Sequence, residues 1–159
     1  MTAKNTLRIG VALALSVIAL SGVAQVKVGE VLPQWTEGYL DIHHINTGKG
    51  EAAFFMLPDG TTMLVDAGAT ARPKPRVTDP KPNGESTPGE WISRYIIHML
   101  QNQNEKKLNY VLLTHFHDDH IGELYPGLKP SKSGNYILTG ITEVGENIPF
   151  GKLVDRNWP

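Results

Sequence analysis

Three histidines and two aspartates lie within six consecutive residues of the chain, directly after an apolar segment. That segment, residues 109–113, contains tyrosine, valine and two leucines, which predicts a buried strand. Because residues two apart on an extended chain point to the same side, His115 and His117 are expected to converge where the strand ends. Asp119 and His120 follow a predicted tight turn and are expected to face a second point close by. Imidazole and carboxylate are ligands that suit Zn²⁺ or a similar ion, so the segment predicts a site for two metal ions.

The spacing Thr-His-x-His-x-Asp-His-x-Gly, which ends at Gly122, resembles the signature of the metallo-β-lactamase-fold hydrolases. The resemblance implies that His115 and His117 hold a first zinc ion. It implies equally that Asp119 and His120 hold a second, with Asp119 as the catalytic residue. In such enzymes a metal-activated water attacks an electrophilic carbonyl or phosphorus centre. The alternative interpretation is an exposed polar loop whose histidines bind nothing.

The elements before the motif must position it. Alternation over residues 39–45 predicts a first strand, and two further runs, 52–57 and 61–65, predict a hairpin around a Pro-Asp-Gly turn. The hairpin ends in Asp66. The resemblance implies that this aspartate orients a ligating histidine rather than binding metal itself. The alternative is an aspartate that only shapes the turn before Gly68.

The same region resembles the opening of the ComEC-type branch of the fold, which includes a domain fused to bacterial DNA-uptake channels. The resemblance rests on residues 42–52, 57–60 and 64–68. The chain departs from the branch pattern at three positions, and these departures bear on the substrate more than on the fold. The branch has Asp, Gln and Asp where this chain has Asn46, Lys49 and Glu51.

Other segments have mainly structural interpretations. His43 and His44 face opposite sides of the first strand, and we expect both to be structural. Residues 69–87 form a proline-rich, basic loop that either attracts an anionic substrate or is a solvated connection. The Thr-Pro-Gly-Glu segment 87–90 predicts a capping box that starts an amphipathic helix.

Within the motif, Asp118 is expected to be exposed. Beyond the motif, we expect short helices over 121–128 and 141–147, a short strand over 136–138, and a further strand from Lys152.

Composition and the first residues bear on localisation. The chain lacks cysteine, which excludes disulfides and thiolate ligands within it. Residues 1–24 combine a positive start, an apolar run and small residues before Gln25, which predicts a signal peptide cleaved near Ala24. We therefore expect a secreted or periplasmic protein without a stable membrane anchor, whose residues 25–159 form one metallo-β-lactamase-like domain. The uncleaved membrane anchor is the alternative.

The resemblance implies an α/β fold, the αββα sandwich of two β-sheets between helix layers, of which this chain supplies the N-terminal half. In the family a further His completes the first ion, and a bridging Asp and a last His complete the second. No His follows His120, and Asp155 follows the motif too soon to be assigned as the bridge. We therefore expect residues 25–159 to be a domain truncated at its C-terminus that, alone, binds zinc weakly and is inactive.

The expected function is a ComEC-like zinc hydrolase that acts on a phosphodiester or another anionic substrate. A β-lactamase or another ester or amide hydrolase is the second hypothesis. A non-catalytic truncated fragment or binding module is the third. The net charge of −1 gives no support to nucleic acid as a partner, and the oligomeric state does not follow from the sequence.

Overall fold

The described residues of the computed structural model are 26–68, 75 and 78–157. Within them, five strands form one mixed sheet whose spatial order follows the chain. The strands are β1 (Asp41–His44), β2 (Ala53–Met56), β3 (Thr62–Val65), β4 (Leu108–Leu113) and β5 (Phe150–Asp155). The helices are α1 (Pro88–Met99), α2 (Asp118–Ile121) and α3 (Gly140–Asn147). This architecture confirms the predicted α/β class and is consistent with a partial αββα sandwich.

Contacts divide the chain into two units, Met1–Pro33 and Gln34–Pro159. In the first unit, the described residues form a turn in which the Glu30 N–H donates to the Lys27 carbonyl oxygen at 3.1 Å. The second unit contains the five-stranded sheet and the three helices of the described residues. No helix in the described ranges has the length and apolar character needed to cross a bilayer. The predicted signal peptide, residues 1–24, lies outside the described residues.

The core lies between one face of the sheet and helices α1 and α3. Strands β1, β2 and β3 pair antiparallel, whereas β4 runs parallel to β3 and to β5. Phe54, Leu64 and Val111 lie side by side in register and are fully buried. They belong to one apolar cluster with Ile92 and Ile96 of α1. Each fully buried side chain of this size contributes about 1.5–3 kcal/mol, so this cluster holds the end of β4 in place.

The opposite face of the sheet is open in the described part of the chain. Ile42, Phe55, Met63 and Tyr110 form one row across four strands on this face. Ile42 is 50 % exposed and Tyr110 is 42 % exposed.

Helix α1 begins where the sequence predicts, but its cap differs from the predicted capping box. The Thr87 Oγ1 atom accepts a hydrogen bond from the Glu90 N–H at 3.4 Å. The Glu90 carboxylate pairs with Arg94 instead of reaching back to the cap. The Thr87 hydroxyl donates to the buried Glu143 carboxylate of α3 at 2.5 Å. Glu143 therefore holds the Thr87 side chain at the start of α1, a contact that the local sequence does not predict.

Two predicted elements after the motif are wrong in position or type. The expected helix over 121–128 lies earlier, as α2, and its C-cap is Gly122 at φ 105. A four-residue helix has no repeat from which periodicity could locate it. The expected strand over 136–138 is only an isolated bridge between Pro130 and Ile137. The expected helix over 141–147 and the strand from Lys152 are confirmed as α3 and β5.

Candidate metal centre

Strand β4 and helix α2 position the polar cluster of the motif. Three of its side chains, His115, Asp119 and His120, each present one ligand atom, and these atoms lie within 4.8 Å of one another. His115 follows the end of β4, whereas Asp119 and His120 belong to the single turn of α2. All three side chains are partly buried. One carboxylate and two imidazoles at this separation form a donor set that could hold a metal ion.

His117 stands at the N-cap of α2 and contacts the group through His115. The His117 Nδ1 atom lies 3.1 Å from the His115 Nε2 atom. Two nitrogen ligands at about 2.0–2.1 Å from one tetrahedral zinc would lie about 3.3 Å apart, so this separation fits a shared ion. The His115 and His120 rings also lie close together, with 3.8 Å between their centroids. His115, a member of the first predicted pair, therefore also contacts His120 of the second, so the two pairs form one group.

Asp66, at the end of β3, supports this group from behind. Its side chain is only 2 % exposed. Its Oδ1 accepts from the Thr114 N–H at 2.9 Å, and its Oδ2 accepts from the Thr114 hydroxyl at 2.7 Å. The His120 Nδ1 atom lies 2.7 Å from the same Oδ2. Because an ionised carboxylate only accepts, this contact favours the His120 tautomer with its proton on Nδ1, whose Nε2 lone pair could bind a metal.

The backbone at Asp66 is unusual, with φ at 56° in a residue other than glycine. Its N–H donates to the Leu112 carbonyl oxygen at 2.9 Å, so the strand end is tied to β4 while the chain turns. Asp and Asn adopt this left-handed region more readily than most residues. The conformation is held by the surrounding hydrogen bonds and directs the carboxylate towards Thr114 and His120.

Backbone contacts seat the motif against two earlier segments. The Glu51 N–H donates to the Asp119 carbonyl oxygen at 2.8 Å, and the Ala67 N–H donates to the His120 carbonyl oxygen at 2.9 Å. A Cβ atom on Gly68 would lie 1.8 Å from the Asp119 carbonyl oxygen. The backbone approach therefore admits only glycine at this position.

The beginning of α3 packs equally closely against the same turn. A Cβ atom on Gly140 would lie 1.9 Å from the Ala67 carbonyl oxygen, and one on Gly122 would lie 2.2 Å from the Gly140 nitrogen. The sequence did not predict the roles of Thr114 and Gly140. Thr114 could have been found as the residue between the strand and the first histidine of the motif. Gly140 carries no local signal, because its neighbours come from distant segments.

The other histidines of the hairpin lie outside this group. The His43 Nδ1 atom lies 2.9 Å from the Tyr95 hydroxyl oxygen of α1. Burial lowers the pKa of His43, and the charge of Asp41 opposes that shift. His44 alternates with His43 and is exposed. Asp118 is exposed on α2, as expected. The partly buried, hydrogen-bonded position of His43 is that expected of a structural residue, whereas His44 is exposed.

Comparison with known proteins gives one match. A family model described as "Metallo-beta-lactamase superfamily" matches residues 47–137, which is more than half of the chain. The matched segment includes Asp66 and the complete motif. No match was found among curated proteins or among solved structures.

Proposed function

The chain belongs to the metallo-beta-lactamase superfamily, and we propose that it functions as a zinc-dependent hydrolase whose metal ligands are His115, His117, Asp119 and His120. The observation that carries the proposal is the convergence of His115, Asp119 and His120, whose ligand atoms lie within 4.8 Å of one another. The contact between His117 and His115 adds a fourth donor at a distance that fits a shared ion. We propose two zinc ions for the complete domain.

The chain's own residues supply orientation and proton handling. Asp66 holds the Nδ1 proton of His120, so that the Nε2 lone pair faces away from the carboxylate. Thr114 donates twice to Asp66 and keeps that carboxylate aligned. A carboxylate oxygen of Asp119 would accept a hydrogen bond from the attacking water and orient it. When bound, the metal supplies Lewis acidity and a water of lowered pKa.

The proposed substrate is a phosphodiester or another anionic small molecule. The ComEC-like opening and the basic composition of the 69–87 loop support this choice. Of the loop's cations, Lys81 is described and exposed, whereas Arg72, Lys74 and Arg76 lie outside the described residues. A β-lactamase or another ester or amide hydrolase is the alternative chemistry.

A non-catalytic binding module is the second candidate function, because the four proposed ligands are too few to give each of two ions the three protein ligands usual in catalytic zinc sites. Residues 25–159 alone are therefore expected to bind zinc weakly and to show no turnover. Supplying a segment with two His and one Asp is expected to restore both.

The test of metal binding is a double substitution of the first two ligands. His115→Ala with His117→Ala is expected to abolish binding at the first ion, measured by elemental analysis after dialysis and by zinc titration against a chromophoric chelator. Asp118→Ala, which changes the exposed aspartate of the same turn, is the matched control. A full zinc complement in the double variant would contradict the proposed ligands.

Parallel assays with a phosphodiester and with nitrocefin, on the chain with the supplied segment, distinguish the two substrate classes.

Localisation is proposed as secreted or periplasmic. The support is the sequence pattern of residues 1–24, with cleavage after Ala24. N-terminal sequencing of exported material is expected to begin at or near Gln25. An intact Met1 terminus in a cytoplasmic fraction would contradict this proposal.

A further inference from the structure

A cleft of about 480 Å³ lies beside helix α1, and none of the proposed metal ligands lines it. Its walls are the end of β1 with the residues that follow, the proline-bearing segment 80–88, and one side of α1. Small-molecule sites usually have volumes of about 300–1,000 Å³ and mainly apolar linings. The size and position of this cleft therefore suit a ligand that is independent of the metal centre.

The apolar walls of the cleft suit a flat body. Trp91 and Tyr95 lie four residues apart on α1 and therefore share a helix face. Prolines of the segment 80–88, Pro80 and Pro82 among them, line the cleft as well. Prolines and aromatic rings present rigid apolar surfaces, so a fused aromatic ring would meet little conformational cost on binding.

The two aromatic side chains are held in place by hydrogen bonds. The Trp91 Nε1–H donates to the Asn83 carbonyl oxygen at 3.2 Å, which ties α1 to the proline-bearing segment. The Tyr95 hydroxyl lies 2.9 Å from the His43 Nδ1 atom. The walls of the cleft are therefore formed before a ligand arrives, which reduces the entropy lost on binding.

The charges around the cleft are of one sign. Lys81 and Arg94 line it, whereas no aspartate or glutamate is among the described residues of the lining. Arg94 lies over the Trp91 ring at 4.8 Å and pairs with Glu90, which is not in the lining. Two exposed imidazoles, those of His44 and His98, add hydrogen-bonding groups without negative charge. An anionic group on the ligand would therefore meet Lys81 and no opposing carboxylate.

We propose that this cleft binds a small molecule that combines a flat apolar body with one anionic group, of the class of an aromatic carboxylate. The aromatic and proline walls contact the ring, and Lys81 pairs with the carboxylate. The proposal does not depend on metal binding or on hydrolysis.

The test uses 2-naphthoate as the probe and 2-naphthylmethanol as its uncharged match, each titrated into the metal-free full chain by calorimetry. Saturable binding of one naphthoate is expected. Its affinity should be about three- to fivefold higher than that of the alcohol, because the carboxylate gains one partly exposed ion pair with Lys81. Lys81→Glu is expected to remove this preference without weakening the alcohol. Trp91→Ala is expected to weaken both probes, and circular dichroism checks that the variants stay folded.

Tyr110→Ala, on the open face of the sheet, is the control for binding to other apolar surface. This variant is expected to bind both probes as the unchanged chain does. The proposal is overturned if binding does not saturate, if Tyr110→Ala abolishes it, or if Lys81→Glu leaves the preference for naphthoate unchanged. A folded Trp91→Ala variant that binds as tightly as the unchanged chain would also overturn it.

Discussion

Replacement of Asp66 by asparagine is the sharpest test of how the metal centre is organised. Asparagine has nearly the same volume and adopts the left-handed backbone region that position 66 requires, at φ 56. Its side chain can still accept the Thr114 N–H, but the amide NH₂ then lies where Oδ2 met His120. An NH₂ group beside Nδ1 favours the tautomer with the proton on Nε2. The nitrogen proposed as a metal ligand would then have no free lone pair.

The expected loss follows from the role of such supporting carboxylates. Replacing the hydrogen-bond partner of a ligating histidine typically lowers metal affinity about 10–100-fold, which corresponds to about 1.4–2.7 kcal/mol. The folded chain also loses hydrogen bonds to a charged acceptor that is only 2 % exposed. We expect this loss to lower the free energy of unfolding by about 1–3 kcal/mol. Asp66→Ala, which removes both carboxylate oxygens, is expected to lower it further.

Two measurements separate these effects. Zinc affinity is measured by competition with a chromophoric chelator, and the free energy of unfolding is measured by urea denaturation without metal. Asp118→Asn, which removes a neighbouring but exposed charge, is the matched control and is expected to change each quantity little. If Asp66→Asn binds zinc as tightly as the unchanged chain, the tautomer argument is refuted. The same conclusion follows if affinity falls only in proportion to the unfolded fraction.

Two further predictions follow from packing and from burial. Gly140→Ala would place a Cβ atom 1.9 Å from the Ala67 carbonyl oxygen, so this substitution is expected to lower both the melting temperature and the zinc affinity. Gly84→Ala is the control, because its Cβ atom would have no neighbour within 4 Å, and it should leave both quantities unchanged. Equal effects of the two substitutions would contradict the proposal that close packing of Gly140 against Ala67 positions the motif. Burial lowers the pKa of His43 below its ordinary value of 6.5, and the charge of Asp41 opposes that shift. The unfolded chain therefore binds the proton of His43 more readily than the folded chain does. The free energy of unfolding should fall as the pH falls through about 6.5. His43→Phe should reduce the fall in urea midpoint between pH 7.5 and 5.5, and an unchanged fall would show that His43 does not contribute to it.

Local sequence determined much of the architecture. The alternation and composition of the strand segments predicted β1 to β4, because burial on one side of a sheet requires a repeat of two residues. The segment 87–90 located the start of α1, because threonine and proline suit the cap and first position of a helix. The motif identified four candidate ligands, because the ability of imidazole and carboxylate groups to bind a metal ion follows from the residue type alone.

Only the tertiary structure decided how those ligands are grouped and supported. His120 meets Asp66 across 54 positions of the chain, and Thr87 meets Glu143 across 56. Neither contact has a local pattern, since each depends on how the strand ends and helices pack. The same holds for Gly140, whose need for glycine comes from the Ala67 carbonyl oxygen in another segment. The sequence therefore determined which groups could do chemistry, whereas packing between distant segments decided which of them meet, because contact between remote residues depends on the whole fold.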